Sequence, residues 1–200
     1  MPLGESLVSS VSPLYHENKG ELRDMDFSSV LEKLEFCLPK EPQTRYDRFR
    51  KKETQGCIRY GYFKCPKMKD TSVPNYKFSQ KDLFAYELEE GLATEILDYV
   101  QKVTSSEYDT VLVNVYKNAK PALGLHMDNE KTMDSTKNIA SVTFTREVNE
   151  ERRLVFYSEP GVTKGPKKTY NLKHGDITYG PYAKHYHGIL PNLKNSCHTE

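Results

Sequence analysis

The stretch "NVYKNAKPALGLHMDNE" runs from Asn114 to Glu130. It opens at the end of a β-branched run, "TVLVNVY" (residues 110–116), crosses a loop, and reaches His126 and Asp128 two positions apart. Residues i and i+2 on a strand point to the same face. An imidazole and a carboxylate therefore project together from one strand end. One later stretch supplies partners for them: "YAKHYHGIL", with His185 and His187.

Two histidines and one carboxylate can occupy three corners of a metal's coordination shell and leave the other positions open. That is the facial arrangement of non-haem Fe(II) sites that bind a cosubstrate and O₂. Zinc accepts the same three residue types, and an H-x-D pair by itself is a common surface pattern. His185 and His187 also stand two apart, so spacing alone does not choose between them.

Composition narrows the class. The chain has 200 residues with a formal net charge of +1, so it is no polycation, and it contains 14 Tyr, 8 Phe and no Trp. That length suits one domain with its own core. No run of about 18 apolar residues marks a membrane span. The start, "MPLGESLVSS", lacks the basic and apolar regions of a signal peptide. Cys37, Cys57, Cys65 and Cys197 form no C-x-x-C pair, which argues against a structural zinc site and for a reducing, cytoplasmic setting.

Along the chain, residues 1–25 mix Ser, Pro, Gly and charges without periodicity and read as a loosely ordered segment. "DFSSVLEKLEFCLPK" (residues 26–40) reads as a short helix capped by Ser29 with Glu32 three residues on. Residues 45–78 hold ten Lys/Arg against three Asp/Glu, with Tyr46, Phe49, Tyr60, Tyr62, Phe63, Tyr76 and Phe78 interleaved. Within them "CIRYGYF" alternates like a strand. Leu83, Phe84, Leu88, Leu92, Ile96, Val100 and Val103 recur mostly every three or four residues, which predicts an amphipathic helix over 82–103 that runs through Gly91. Strands follow at 110–117, 139–145, 153–158, 168–172, 176–179 and 185–190, with a turn at "KHGD". Helices ahead of many short strands predict an α+β fold whose second half is a sandwich or barrel.

Several stretches then agree in order and spacing with one family. "NVYKNAKPALGLHMDNE", "SVTF", "LKHGDITYG" and "YHGILP" resemble the AlkB-like Fe(II)- and 2-oxoglutarate-dependent dioxygenases, and within them the AlkB domain of plant RNA-virus polyproteins. The likeness covers roughly residues 110–192. It implies a double-stranded β-helix, or jelly-roll, core over about 108–200 within a domain spanning 26–200. It also implies N-terminal helices and a nucleotide-recognition lid at about 45–78.

The resemblance assigns roles residue by residue. His126, Asp128 and His187 match the iron ligands, Asn114 and Tyr116 the contacts to 2-oxoglutarate, and Glu130 an acidic position that approaches the target base. On the residues alone, Asn114 and Tyr116 read equally as a strand packing pair. The family also holds the distal carboxylate of 2-oxoglutarate with an arginine on a strand after the second histidine. None occurs from Gly188 to Glu200, where Lys194 is the only Lys or Arg. The expectation is a domain truncated at its C-terminus or one that has lost this clamp.

Lys and Arg neutralise phosphates and aromatic faces stack on unpaired bases, so Arg48, Lys51, Lys52, Arg59, Tyr60 and Tyr62 are the candidate nucleic-acid contacts. The plain alternative is a solvated basic hairpin. The activity implied is oxidative demethylation of N-alkylated bases in RNA or single-stranded DNA, by a monomer with no membrane partner. Two other readings stay open: a non-catalytic nucleic-acid-binding module, and a cupin-like metalloenzyme that uses His185 and His187 as an H-x-H pair.

Overall fold

A computed structural model describes residues 14–17, 21–26, 28–30, 32, 38, 44–47, 52–55, 58–68, 72–78, 81–88, 90–116, 123–145 and 151–190. Fourteen strands and one long helix are found among them. In order they are β1 (Tyr15–Glu17), β2 (Thr44–Asp47), β3 (Lys52–Gln55), β4 (Ile58–Lys64), β5 (Tyr76–Phe78), β6 (Lys81–Leu83), β7 (Tyr86–Glu87), helix α1 (Leu92–Thr104), β8 (Thr110–Tyr116), β9 (Leu123–His126), β10 (Ile139–Thr143), β11 (Arg152–Pro160), β12 (Lys167–Leu172), β13 (Asp176–Gly180) and β14 (His185–Leu190). The protein is thus mostly β. Among the described residues no helix is long and apolar enough to cross a membrane.

The strands predicted after residue 108 form within two residues of their expected ends, and β9 joins them. Strands β9 to β14, joined by β1, build a four-stranded sheet, β12-β11-β14-β9, and a three-stranded sheet, β1-β13-β10. Leu154, Phe156, Tyr170, Leu172 and Tyr182 form one apolar cluster with Leu14, and Ile139 of β10 and Ile189 of β14 pack against it. Inward-facing residues from both sheets meeting in one core give a jelly-roll of the expected kind. A third sheet, β7-β4-β8, continues the structure, and hairpins β2-β3 and β5-β6 complete it.

Helix α1 covers the outside. Leu97 packs with Leu38, Phe63, Cys65 and Leu88, and against Val111, Val113 and Val115 of β8. Val100 packs with Leu22 and Ile177, alongside Ala140 and Val142. Each such buried aliphatic side chain contributes about 1.5–3 kcal/mol. Because Val113 and Val115 face the helix, alternation turns Asn114 and Tyr116 toward the opposite side of β8.

The helix is shorter than its periodicity predicts. It starts after Gly91, whose φ of 142° lies outside the helical region, and Thr94 Oγ1 accepts from the Gly91 N–H at 3.0 Å. Residues 81–83 and 86–87 are strands instead, because Leu83 is claimed by the Tyr62–Tyr76 cluster and Leu88 by the core under α1. At the N-terminus, residues 28–30 take helical form, but the cap is Asp26 rather than Ser29: its carboxylate accepts from both the Ser29 N–H and hydroxyl at 2.9 Å. Most of the predicted 26–40 helix lies outside the described residues. Residues 14–25 are not loose where described. Tyr15–Glu17 pairs antiparallel with β13, and Leu22 is fully buried.

Candidate metal centre and the pocket beside it

Strands β9 and β14 pair antiparallel with His126 directly opposite His187. Their rings lie 4.3 Å apart between centroids. Such a close approach needs a small residue next door. A side chain at Gly188 would meet the Leu123 carbonyl oxygen at 2.8 Å. Asp128 follows just past β9, its N–H donating to the Tyr182 carbonyl at 3.1 Å. Its two carboxylate oxygens then face the two imidazoles, Oδ1 at 3.3 Å from His126 Nε2 and Oδ2 at 3.5 Å from His187 Nε2.

Both rings are held in the tautomer that a metal requires. His126 Nδ1–H donates to the Gly124 carbonyl at 2.8 Å, and His187 Nδ1–H donates to the His185 carbonyl at 3.0 Å. A carbonyl can only accept, so Nδ1 carries a proton and each Nε2 faces Asp128, donating to it when protonated and ready to ligate an ion once that proton is lost. One ligand atom from each of His126, Asp128 and His187 lies within 4.8 Å of the others. Ligand atoms at about 2.0–2.2 Å from a single ion lie at most about 4.4 Å apart, so a small inward movement of the side chains would close the site on an ion. Phe156 stacks 6.0 Å from the His187 ring at 20°, and Tyr182 meets it edge-on at 4.7 Å.

The electrostatics keep Asp128 anionic. Burial alone would raise its carboxyl, but hydrogen bonds and charge from His126 and His187 outweigh this and hold it well below the usual carboxylate range. For His126, burial acts downward and is overcome by the hydrogen bond and charge of Asp128, so the imidazole sits above its ordinary value.

His185 does not join the cluster. It is buried, donates from Nδ1 to the Tyr157 carbonyl at 2.9 Å, and stacks on Phe156 at 5.3 Å. This geometry disfavours an H-x-H pair and answers the choice that spacing left open.

Beside the triad, Glu130 receives the Tyr76 hydroxyl at 3.1 Å. Tyr76 comes from hairpin β5-β6 and clusters with Tyr62 and Leu83. Glu130 Oε2 and Thr132 Oγ1 are buried and have no hydrogen-bond partner among the described residues. Burial, then the charge of Asp128, raises the Glu130 carboxyl. Burial and the Glu130 and Asp128 charges push the Tyr76 hydroxyl far up, so it remains a donor.

Asn114 and Tyr116 lie on β8, Asn114 exposed and Tyr116 half-buried. The Arg152 guanidinium sits 4.9 Å from the Tyr116 ring centroid. The candidate nucleic-acid residues fare differently. Arg48 and Lys51 lie outside the described residues. For Lys52, Arg59 and Tyr60 the backbone is placed in β3 and β4, and their side chains lie outside the described set. Tyr62 is corrected: it is buried with its ring against Tyr76 at 5.5 Å, and offers no open stacking face. Sequence reasoning missed Phe156, Tyr182 and Thr132, which carry no motif signal, and gave Tyr76 no site role.

Residues 23–200 match the 2OG-Fe(II) oxygenase superfamily, and the chain belongs to it. Its cofactor is Fe(II) and its cosubstrate 2-oxoglutarate, and His126, Asp128 and His187 are the residues placed to hold the ion. Comparison with curated proteins gave no match.

Proposed function

We propose that the protein is an AlkB-like dioxygenase that demethylates N-alkylated bases in RNA or single-stranded DNA, of the kind found in plant RNA-virus polyproteins. The observation that carries the reading is Glu130: a half-buried carboxylate two residues beyond Asp128, oriented by Tyr76, with one oxygen buried and unpartnered among the described residues. A nucleobase presents ring and exocyclic N–H groups to such an acceptor, and leaving it empty is costly. The order of N-x-Y, H-x-D-x-E, H-G-D and Y-H-G-I in the sequence supports the same family.

Bound Fe(II) and 2-oxoglutarate supply oxidising power from O₂, with one oxygen atom entering the N-methyl group and the other leaving in succinate as CO₂ is lost. The chain's own part is placement. His126, Asp128 and His187 fix the ion, Asn114 and Tyr116 border the cosubstrate, and Glu130 with Tyr76 orients the base. The hydroxylated methyl then leaves as formaldehyde. A target base must be flipped from a stack or met unpaired. The basic 45–78 region, through Arg48, Lys51, Lys52, Arg59 and Tyr60, is the proposed lid that grips the strand.

The test is formaldehyde and succinate formation on N-methylated and unmethylated oligonucleotides. Formaldehyde should appear only with the methylated strand and fall with Glu130→Gln. Succinate without formaldehyde on any methylated nucleic acid would defeat the substrate assignment. Charge reversal at Arg48, Lys51 and Lys52 should reduce the slope of log affinity against log salt by roughly 0.7 per lost phosphate contact on single strands. An unchanged slope would return these residues to a solvated surface.

A further inference from the structure

A strand whose base enters the Glu130 pocket leaves its phosphates outside, and a lid on one flank meets them on that flank alone. We propose that Lys137, Lys164, Lys167 and Lys184 form a phosphate track on the other flank of the pocket, and that it holds the backbone of a single-stranded nucleic acid beside the flipped base. The inference rests on the nucleic-acid reading of the site and adds a second, separate contact to it.

The backbone builds this placement. The Met133 N–H donates to the Glu130 carbonyl at 2.9 Å, so the chain bends immediately past the pocket. Met133 packs against the Tyr62, Tyr76 and Leu83 cluster, which is the side of the β5-β6 hairpin. The chain then reaches Asp134 and Lys137, whose N–H donates to the Asp134 carbonyl at 3.0 Å. The Asp134 carboxyl is held below its ordinary value first by hydrogen bonds from Thr136, then by the charges of Lys137 and Lys184, so both ammonium groups stand near this end of the bend. Lys184 lies on the turn ahead of β14 that also supports the metal centre. There the Tyr182 carbonyl accepts from the Asp128 N–H at 3.1 Å, and the Lys184 carbonyl accepts from the Gly161 N–H at 2.8 Å. Gly161 starts the connection from β11 to β12, which the Ser158 N–H closes on the Pro166 carbonyl at 2.9 Å. Lys164 lies on that connection and Lys167 begins β12. Pocket, bend, turn and hairpin tip are thus neighbours in that order.

The charge is local and uncompensated. From Pro160 to Lys184 the chain has five lysines and one acid, Asp176, in a molecule of net charge +1, and Asp176 is buried. Lys137, Lys164, Lys167 and Lys184 are exposed, and none is ion-paired among the described residues. Elsewhere Lys67, Lys77 and Lys173 face Glu107, Asp82 and Glu151. A paired ammonium must give up its partner to meet a phosphate, whereas an unpaired one exchanges only water and counterions. Lys168 is left out because it lies 4.8 Å over the ring of buried Tyr170, while Lys167 stands 5.7 Å from the Tyr157 ring. A point charge on a long flexible stem follows a phosphate chain of any sequence, where a guanidinium fork asks for a fixed geometry.

The test uses the whole chain and a single-stranded oligonucleotide carrying one N-methylated base. Lys164→Gln with Lys184→Gln should lower the slope of log affinity against log salt by about 1.4, and adding Lys137→Gln and Lys167→Gln should bring the fall to about 2.8, at roughly 0.7 per lost phosphate contact. A control pair of equal charge change, Lys102→Gln with Lys173→Gln, should leave the slope as it is. In formaldehyde release, the first pair should raise KM for the oligonucleotide by about fivefold per lost contact near 0.1 M salt and keep kcat. Turnover of the N-methylated nucleoside, which has no phosphate, should not change.

An unchanged slope in the fourfold variant overturns the track, and so does an equal fall in the control pair, which would mean that only the overall charge is felt. Slowed turnover of the nucleoside also overturns it, since the lysines would then act on the pocket. If the pair does not fold, by circular dichroism, Lys164→Gln alone decides, with an unchanged slope sinking the proposal. Loss of binding to phosphatidylserine vesicles, with oligonucleotide binding intact, would assign the surface to a membrane and overturn it as well. The two failures separate in wild type. No salt-dependent binding of single strands fails the nucleic-acid reading itself, whereas a slope lowered by charge reversal at Arg48, Lys51 and Lys52 but not by the lysine variants fails only the track.

Discussion

The metal triad and the Glu130 pocket adjoin each other and are built on opposite principles. At the triad everything is answered from within. Each histidine's Nδ1 is occupied by a carbonyl, Asp128 is faced by both Nε2 atoms, and Phe156 and Tyr182 close around His187. At the pocket, Glu130 Oε2 and Thr132 Oγ1 are buried without partners. Buried polar groups are normally satisfied, and exceptions ask for a reason. The contrast separates a part that must not move from a part that completes itself only with a ligand.

The comparison breaks most visibly at Phe156, which is 1% exposed and supports both buried histidines. Phe156→Ala should cost about 3–5 kcal/mol, which is roughly 6–20 °C in Tm for a chain of this size. Scanning calorimetry and Fe(II) titration should show both stability and metal affinity falling. A stable variant with intact metal binding would mean the triad does not depend on this wall.

Asp128→Ala should weaken Fe(II) binding by more than about a hundred-fold, beyond the loss typical of an outer partner. The fold should survive, read by an unchanged circular dichroism spectrum. Tyr76→Phe comes next. It removes one hydrogen bond of about 1 kcal/mol, so binding of a methylated oligonucleotide should drop about fivefold while Fe(II) affinity stays the same. A change in Fe(II) affinity would show that pocket and triad are not separable.

The last contrast is on the far side of β4, and it leaves the site itself untouched. Tyr62 faces the pocket, whereas Cys65, just beyond the strand, is sealed under α1. Burial pushes the Cys65 thiol from 9.0 up to about 11. It should therefore alkylate about a hundred-fold more slowly at pH 8 than an ordinary thiol, as peptide mapping would show. The folded chain holds this proton longer than the unfolded one, so this thiol leaves stability untouched below about pH 9 and lowers it as pH rises toward 11. Fast alkylation would mean that this face is as open as the pocket.

Much of this was legible in the sequence, and the gaps have physical causes. The strands after residue 108 alternate and are bounded by turn residues, so they could be placed closely. β1, β5, β6 and β7 have only two or three residues each, too short for any period to register. The helix was read too long because Leu83 and Leu88 match a helical spacing while being buried in two different clusters. The triad's members, His187 in place of His185 included, were readable from motif order, whereas spacing alone left both histidines open, and it is the pairing of β14 with β9 that sets His187 opposite His126.

The edge strand β1 has a consequence for where this unit can be divided. The superfamily likeness begins at residue 23, which invites a cut just ahead of it. Such a cut would remove Leu14 and Leu22 from two cores and strip the pairing edge from β13. It would also take away His16, whose Nε2 lies 2.7 Å from the Asp176 carboxylate, a group 1% exposed. Asp176 would keep the Lys173 N–H and little else among the described residues, a stranded charge at the turn that aims β13 beneath the triad's sheet. Family likeness and packing thus draw the border in different places: the superfamily match starts at residue 23, but the core and the strand pairing reach back to Leu14 and Tyr15.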